Sequence, residues 1–165
     1  MKKTLYLMCG PAGAGKSHYI REHAERGTSA WISRDKVRFS IVGEDQEYFS
    51  KEDEVFAEWC RQVANALKTP WVDEVWADAT HLTAKARKKT LDLIGCYLNE
   101  DMVIGFKDIY ICPVVVKPDL ETCFMQNSWR KGRANVPETV IKNMYDSFED
   151  PINDDIGYEY EEVYY

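Results

Sequence analysis

The most specific chemical pattern in the sequence is a glycine-rich turn that follows a short apolar run. Residues 9–20 read CGPAGAGKSHYI and come directly after the apolar residues 5–8. The turn matches G-x-x-x-x-G-K-[ST], in the strand-to-helix context that this phosphate-binding motif requires. Its four fixed positions are held by Gly10, Gly15, Lys16 and Ser17. A glycine-rich turn with an incidental lysine is the alternative, but it would have to match every fixed position by chance.

The residues of this turn predict a site for ATP or another nucleoside triphosphate, together with Mg²⁺. Glycines, including Gly13, let successive backbone N–H groups converge on phosphate oxygens. Lys16 can reach the β and γ phosphates, and the Ser17 hydroxyl can bind Mg²⁺. The helix that follows directs its positive end at the same place. The acceptor of the phosphoryl group has to be identified from other residues.

Two acidic residues follow the next two apolar segments of the chain. Asp35 comes after SAWIS, and Asp78 lies within VWADAT. Both should lie beside the glycine-rich turn, because open α/β sheets bind their ligands at the carboxyl ends of the strands. Asp35 can take the proton of an attacking hydroxyl, and Asp78 can hold Mg²⁺ or orient a neighbour. The alternatives are a helix N-cap for Asp35 and a buried, hydrogen-bonded structural role for Asp78.

Arg38 lies one helical turn after Asp35, so the two side chains can share a face. The guanidinium can then hold a phosphate of the acceptor while the acid meets its hydroxyl, or the two can form a surface ion pair. A second basic group opens the segment after Asp78, where cations oppose the helix dipole, and an anionic ligand there would compensate. Its members are Lys85, Arg87, Lys88 and Lys89.

The segment NSWRKGRANVP, residues 127–137, carries a third basic group around Gly132. It lies between two predicted helices, so it can close over the triphosphate as a lid and supply Arg130 to the transferring phosphoryl group. The alternative is an ordinary solvated run of charges that also includes Lys131 and Arg133.

Composition bounds the class of protein. The chain has 165 residues, of which 45% are hydrophobic, and it contains no apolar run long enough to cross a membrane. The five cysteines are scattered without metal-ligand spacing, which is typical of buried thiols in a reducing cytoplasm. A net charge of −7 disfavours strong general affinity for nucleic acid, so any polyanion would need a local basic patch.

Apolar periodicity predicts strands that alternate with helices, and hence one domain over residues 1–165. The expected architecture is a three-layer α/β fold with a mostly parallel sheet flanked by helices and with the phosphate loop (P-loop) after its first strand. The predicted strands are residues 3–9, 29–33, 74–80, 102–114 and 157–165. The predicted helices are residues 16–26, 34–42, 51–68, 83–99, 118–129 and 137–148, with a polar loop over 43–50.

Four blocks of sequence resemble the 5′-polynucleotide kinases of the phage type and the wider group of small P-loop kinases related to them. They read GPAGAGKS, SRDKVRFSI, ADATHLTAKARKK and QNSWRKGRANVPETVIKNMYDSFEDP, in the family's order and at similar separations. The resemblance covers most of the chain and implies the three-layer α/β fold of the P-loop kinases, with a small helical lid. Its most distinctive part is the last block, where an Asn stands three residues before an Arg and a Val-Pro pair follows.

The resemblance implies a role for each matching residue. Asp35 corresponds to the general base for the acceptor 5′-hydroxyl, Arg38 to the residue that grips the adjacent phosphate, and Arg130 to the lid arginine on the donor phosphates. Lys16 and Ser17 correspond to the ligands of the donor phosphates and Mg²⁺. The acid at the end of the third strand, which helps to arrange the site, corresponds to Asp78.

Two residues depart from the family pattern. His81 stands where members tend to have Asn, and Gln126 stands where they tend to have Arg. His81 is either a changed contact to the acceptor or a hydrogen-bonded structural residue. The predicted acceptor contacts are thus Arg38, Asp78, His81 and Arg87.

The sequence therefore predicts ATP-dependent phosphoryl transfer to the 5′-hydroxyl of a nucleic acid end. A kinase of a small metabolite or nucleoside is the first alternative, and the net charge of −7 favours it. A nucleotide-dependent switch or weak ATPase with a protein partner is the second, with Asp35 as a helix cap and the basic loop as a docking surface.

Overall fold

A computed structural model describes residues 2–100, 108–132, 135–155 and 163–164, and its centre is a five-stranded sheet. The strands are β1 (Lys3–Cys9), β2 (Ser29–Ser33), β3 (Glu74–Asp78), β4 (Ile109–Val115) and β5 (Val163–Tyr164). Their order across the sheet is β2-β3-β1-β4-β5, and each neighbouring pair is parallel. Because β1 lies in the middle, the glycine-rich turn that follows it emerges at the centre of the carboxyl edge.

Helices cover both faces of this sheet. They are α1 (Lys16–His23), α2 (Arg34–Ile41), α3 (Glu52–Lys68), α4 (Ala84–Glu100), α5 (Leu120–Ser128) and α6 (Glu138–Asp146), and a 3₁₀ turn spans Pro151–Asn153. One apolar core, centred on the fully buried Trp59, joins one face to α2, α3 and α4. The other core joins the opposite face to α1, α5 and α6 through Ile20 and Ile141. The predicted three-layer α/β fold with a parallel sheet is thus confirmed.

Most predicted boundaries hold within a few residues, and β1 and β2 match at both ends. The first helix stops at His23, short of the predicted residue 26, because the backbone of Ala24 turns extended. Helix α5 begins at Leu120, since the Asp119 side chain caps it by accepting from the backbone N–H of Thr122. The parts of the predicted strands at 102–107 and 157–162 lie outside the described residues.

No helix in the described part of the chain combines the length and the apolar character needed to cross a membrane.

Candidate active site

A cleft of about 770 Å³ lies along the carboxyl edge of the sheet. It is bounded by the glycine-rich turn, the start of α2, the loop before α3, the end of β3 and the segment after α5. Five lysine or arginine side chains and three carboxylates line it, so the cleft is locally basic although the whole chain is acidic. The predicted site residues on its walls are Gly13, Gly15, Lys16, Ser17, Asp35, Arg38, Asp78 and Arg130.

The glycine-rich turn packs tightly against the elements beside it. Gly13 has a φ of +79°, and a Cβ there would collide with the backbone carbonyl of Cys123 in α5. A Cβ on Gly10 would collide with the carbonyl of Val116 after β4. These two positions therefore require glycine for close backbone approach, as well as for any contact with phosphate.

Lys16 folds back over the turn that carries it. Its Nζ donates to the backbone carbonyls of Gly10 at 2.9 Å and Pro11 at 2.8 Å. Burial lowers the pKa of this ammonium, and the nearby carboxylates of Asp78 and Asp35 oppose that shift. The side chain thus lies at the mouth of the turn, next to the backbone that the motif dedicates to phosphate.

Asp78 ends β3 and lies directly beside Ser17. The Ser17 hydroxyl donates to Asp78 Oδ2 at 3.3 Å, and the indole N–H of Trp31 donates to the same oxygen at 2.9 Å. Burial raises the pKa of this carboxyl, while Lys16 acts in the opposite direction. A hydroxyl and a carboxylate this close suit Mg²⁺, which accepts few protein oxygens and keeps several waters.

Asp35 receives hydrogen bonds from three side chains. Its Oδ1 accepts from Arg38 Nη1 at 2.6 Å and from the Tyr48 hydroxyl at 2.9 Å, and its Oδ2 accepts from Arg130 Nη2 at 3.0 Å. The helix N-cap of α2 is Ser33, whose hydroxyl accepts from the N–H of Lys36. The alternative that Asp35 caps this helix is therefore wrong.

Arg38 holds carboxylates where the sequence predicted a phosphate. Glu52 binds it in bidentate fashion, with Nε–Oε1 at 2.6 Å and Nη2–Oε2 at 2.9 Å. Only 8% of the Arg38 side chain is exposed, because the rings of Tyr48 and Phe49 lie over the guanidinium. Burial alone would lower the pKa of Arg38, but its hydrogen bonds with Glu52 and Tyr48 raise the pKa above its usual range.

Glu52 also binds a second arginine. Arg34 Nη2 lies 3.1 Å from Glu52 Oε2, so this carboxylate bridges the two arginines that open and close the first turn of α2. Burial alone would raise the pKa of Glu52, but the hydrogen bonds and charges of Arg38 and Arg34 together outweigh burial and lower the pKa. Glu52 therefore occupies the same edge of Arg38 that would form a bidentate pair with a phosphate.

Asn127 ties the two ends of the predicted lid together. Its side chain donates to the carbonyl of Val136 at 2.7 Å and accepts from the N–H of Val136 at 3.1 Å. Between these ends, Arg130 reaches into the cleft and Lys131 is exposed. Arg133 lies outside the described residues.

Arg87 does not line the cleft, which corrects its assignment as an acceptor contact. Its side chain is fully buried and forms a bidentate pair with the equally buried Asp154, at 2.6 and 2.8 Å. It also donates to the backbone carbonyls of His81 at 2.8 Å and Glu149 at 2.7 Å. Of the basic residues that open α4, Arg87 thus has a buried carboxylate partner in this chain, and Lys88 has an exposed one, Asp92, at 2.7 Å.

His81 is also a structural residue, so its assignment as an acceptor contact is wrong. Only 4% of it is exposed, and its Nδ1 lies 2.7 Å from the carbonyl of Met8 in β1. Its φ is +43°, and β3 ends three residues before it, at Asp78, which is short of the predicted residue 80. Burial lowers the pKa of His81 to about 4, so the ring is neutral at pH 7.

Three residues of the site were missed by the sequence reasoning: Arg34, Tyr48 and Glu52. Tyr48 lies in the segment that was predicted only as a polar loop, and Glu52 lies within the predicted helix 51–68. The one available signal was the Tyr-Phe pair at 48–49, which stands out in a loop of otherwise polar residues.

The parallel sheet, the glycine-rich turn and the charged cleft at its carboxyl edge define an α/β P-loop domain of the kinase-like type. Comparison with family profiles agrees. The chain belongs to the AAA domain family, whose profile matches residues 5–151. A search of curated proteins finds no match.

Solved structures with the same fold include kinases of different acceptors. A chain of the Pnkp1/Rnl/Hen1 RNA repair complex is 16% identical with a TM-score of 0.67, covering 88% of this chain and 44% of its own length. A fungal RNA kinase is 14% identical with a TM-score of 0.64, covering 99% and 75%. A gluconokinase from Sinorhizobium meliloti 1021 is 16% identical with a TM-score of 0.58, covering 98% and 81%. This chain thus spans less than half of the RNA repair protein.

Proposed function

We propose that the chain is a kinase that transfers the γ-phosphoryl group of ATP to the 5′-hydroxyl of a nucleic acid end. The observation that carries this proposal is the position of Asp35. Its carboxylate lines the same cleft as Lys16 of the phosphate-binding turn and is hydrogen-bonded to Arg130. A hydroxyl bound at Asp35 would therefore face the end of a triphosphate held by the turn.

The proposed chemistry is positioning combined with charge stabilisation. Lys16 binds the β and γ phosphates, and Arg130 neutralises charge that develops on the transferring phosphoryl group. Asp35 accepts the proton of the attacking hydroxyl. Mg²⁺, when bound by Ser17 and by Asp78 directly or through water, supplies further positive charge to the donor phosphates.

Two of the solved relatives support a nucleic acid acceptor, since one belongs to an RNA repair complex and the other is an RNA kinase. The five basic side chains of the cleft provide the local patch that an acidic chain would need to bind a polyanion. The block SRDKVRFSI of the family resemblance contributes Arg34 and Arg38 to that patch, and it places Asp35 on the wall of the same cleft.

A small-molecule acceptor is the second candidate, and the contact between Arg38 and Glu52 favours it. Because Glu52 fills the bidentate edge of Arg38, an acceptor without a phosphate would fit the cleft with no rearrangement. The gluconokinase among the solved relatives is an example of such a kinase on this fold.

The test is a screen of acceptors with γ-labelled ATP. 5′-hydroxyl oligonucleotides of DNA and RNA, 3′-mononucleotides, nucleosides and sugars are compared at equal concentration. We expect label transfer to the oligonucleotides at a rate at least tenfold above that to any sugar. Preferred transfer to a sugar would establish the second candidate. ADP release that no hydroxyl compound stimulates would instead indicate the nucleotide-dependent switch.

Asp35→Asn separates the proposed base from a structural role. The amide keeps the size of the side chain and can still accept from Arg38, but it cannot take a proton. We expect a rate roughly 10²–10⁴-fold lower, with ATP affinity and melting temperature retained. Asp53→Asn is the matched control, because Asp53 is exposed in the first turn of α3. Near-full activity of Asp35→Asn would remove the base from the mechanism.

A further inference from the structure

An aromatic ring lies exposed at the acceptor side of the cleft. Phe49 lines the cleft and is 43% exposed, although it belongs to a loop that is otherwise polar. Its ring meets the ring of Tyr48 edge to face at 4.9 Å, and Tyr48 in turn packs against Phe39 at 5.5 Å. Phe49 is thus part of an aromatic cluster, with part of its surface open to the cleft.

The position of this ring is fixed relative to Asp35. The Arg38 guanidinium lies 5.1 Å from the centroid of the Phe49 ring and donates to Asp35 at 2.6 Å. The Tyr48 hydroxyl donates to the same carboxylate oxygen at 2.9 Å. Phe49 is therefore held by two neighbours that both bind the proposed base.

The contacts with Arg38 and Tyr48 leave 43% of Phe49 exposed. An exposed phenyl group is unfavourable in water, and exposed apolar surface at the wall of a polar cleft is typical of a ligand contact. Trp129 also exposes its ring to the cleft, but it lies in the lid next to Arg130. Phe49 is the ring that is anchored on the acceptor side.

The phenyl ring of Phe49 suits a nucleobase better than a sugar. Nucleobases have a flat π-face that stacks on aromatic side chains regardless of sequence, whereas sugars and polyols present hydroxyl groups that a phenyl ring cannot hydrogen-bond. We infer that Phe49 is a stacking platform for the nucleobase of the terminal nucleotide whose 5′-hydroxyl faces Asp35. This inference rests on the proposed function and adds a subsite that recognises the base.

Equilibrium binding tests the platform without relying on catalysis. Fluorescence anisotropy is measured with a labelled single-stranded 5′-hydroxyl oligonucleotide and with the same oligonucleotide lacking its 5′-terminal base. The wild-type protein should bind the intact oligonucleotide about five- to hundredfold more tightly than the abasic one. Phe49→Leu should remove most of this difference, because leucine keeps an apolar contact with Arg38 but has no π-face. Phe49→Trp should preserve it.

Trp71→Leu is the matched control, since Trp71 is 71% exposed and lies outside the residues that line the cleft. It should leave the ratio of the two Kd values unchanged. Melting temperatures of all variants are compared, so that a loss of folding is recognised separately from a loss of stacking.

The outcomes distinguish this inference from the proposed function. Equal Kd values of the wild type for intact and abasic oligonucleotides, or an unchanged ratio in Phe49→Leu, would overturn the platform. If both oligonucleotides were nevertheless phosphorylated in a parallel assay with γ-labelled ATP, the proposed function would remain supported. No binding of either oligonucleotide, together with transfer to a sugar, would overturn both.

Discussion

Arg130 Nη2 lies 3.0 Å from Asp35 Oδ2, so a side chain of the proposed lid contacts the proposed base across 95 residues of sequence. The other oxygen of Asp35 is held by Arg38 and Tyr48, so Oδ2 is the oxygen that a rearrangement of the lid would release. An acceptor hydroxyl that approaches Oδ2 would have to displace Arg130. The displaced guanidinium would then be available to the donor phosphates. Movement of Arg130 towards the phosphates and release of Asp35 Oδ2 to accept a proton would therefore occur together.

Arg130→Ala should lower kcat by roughly 10²-fold or more, because this guanidinium would stabilise charge that develops during transfer. Lys131→Ala is the control, since Lys131 is the exposed neighbour in the same segment. Steady-state kinetics with saturating ATP measures both. Equal effects of the two substitutions would mean that the lid contributes only general positive charge.

Arg38→Ala should weaken binding of the acceptor and also lower kcat. Arg38 both holds Asp35 at 2.6 Å and provides the proposed contact to a phosphate of the acceptor. The substitution would also leave Glu52 with Arg34 as its only described arginine partner. A change in KM after this substitution therefore has more than one cause.

Glu52→Gln isolates the phosphate contact. Removing the negative charge weakens the hold of residue 52 on the bidentate edge of Arg38, so KM should fall about three- to tenfold for an acceptor that carries a 3′-phosphate. KM for the same nucleoside without the phosphate should stay the same. Glu54→Gln is matched in charge and lies exposed in the same first turn of α3. A parallel change for both acceptors would show that Arg38 does not bind the phosphate.

The sequence was sufficient to predict those features that depend on residues close together in the chain. The glycine-rich turn, the strand before it and the fold class follow from short-range patterns, and so does the expectation that Asp35 lies at the sheet edge. The sequence was insufficient to predict contacts between side chains that are far apart in the chain or separated by an irregular loop. Glu52 reaches Arg38 only because residues 43–51 bring α3 back beside α2, and no periodicity encodes that path.

Arg87 shows that the sequence also did not predict which basic side chain is buried. Its spacing matched an exposed basic cluster, but its anion is Asp154, 67 residues further along the chain. Helical spacing did not separate this buried arginine from Lys88, its exposed neighbour in α4.

Asp154→Ala should destabilise the fold by about 3–5 kcal/mol, because it leaves the Arg87 guanidinium charged and buried without its carboxylate. Asp92→Ala should change the free energy of unfolding by less than about 0.5 kcal/mol, since its pair with Lys88 is exposed. Urea denaturation at pH 7 compares the two. Similar costs for both substitutions would mean that the buried pair is not a major support of the C-terminal segment.

His81 should make the stability of the protein depend on pH below neutrality. The Met8 carbonyl can only accept, so Nδ1 carries the proton, and the buried Nε2 has no hydrogen-bond partner among the described residues. Protonation of Nε2 would bury a charge beside the ring of Trp59, and the charges of Arg34, Arg87 and Lys16 further disfavour it.

The sign of the effect follows from the two pKa values of His81. The unfolded chain binds this proton below about pH 6.5, whereas the folded chain does so only below about pH 4. Between these values the unfolded state binds more protons, so the free energy of unfolding falls as the pH falls and levels off below pH 4. The contribution lost between pH 7 and pH 4.5 is about 2–3 kcal/mol.

His81→Asn removes this titration and should keep the local structure, because Asn tolerates the φ of +43° and its amide can donate to Met8. Urea denaturation of both proteins is measured at pH 7 and pH 4.5. All other titrating groups are shared, so the wild type should lose about 2–3 kcal/mol more than the variant over this interval. Equal losses would show that His81 is protonated in the folded protein as readily as in the unfolded chain, which its burial and its unpartnered Nε2 argue against.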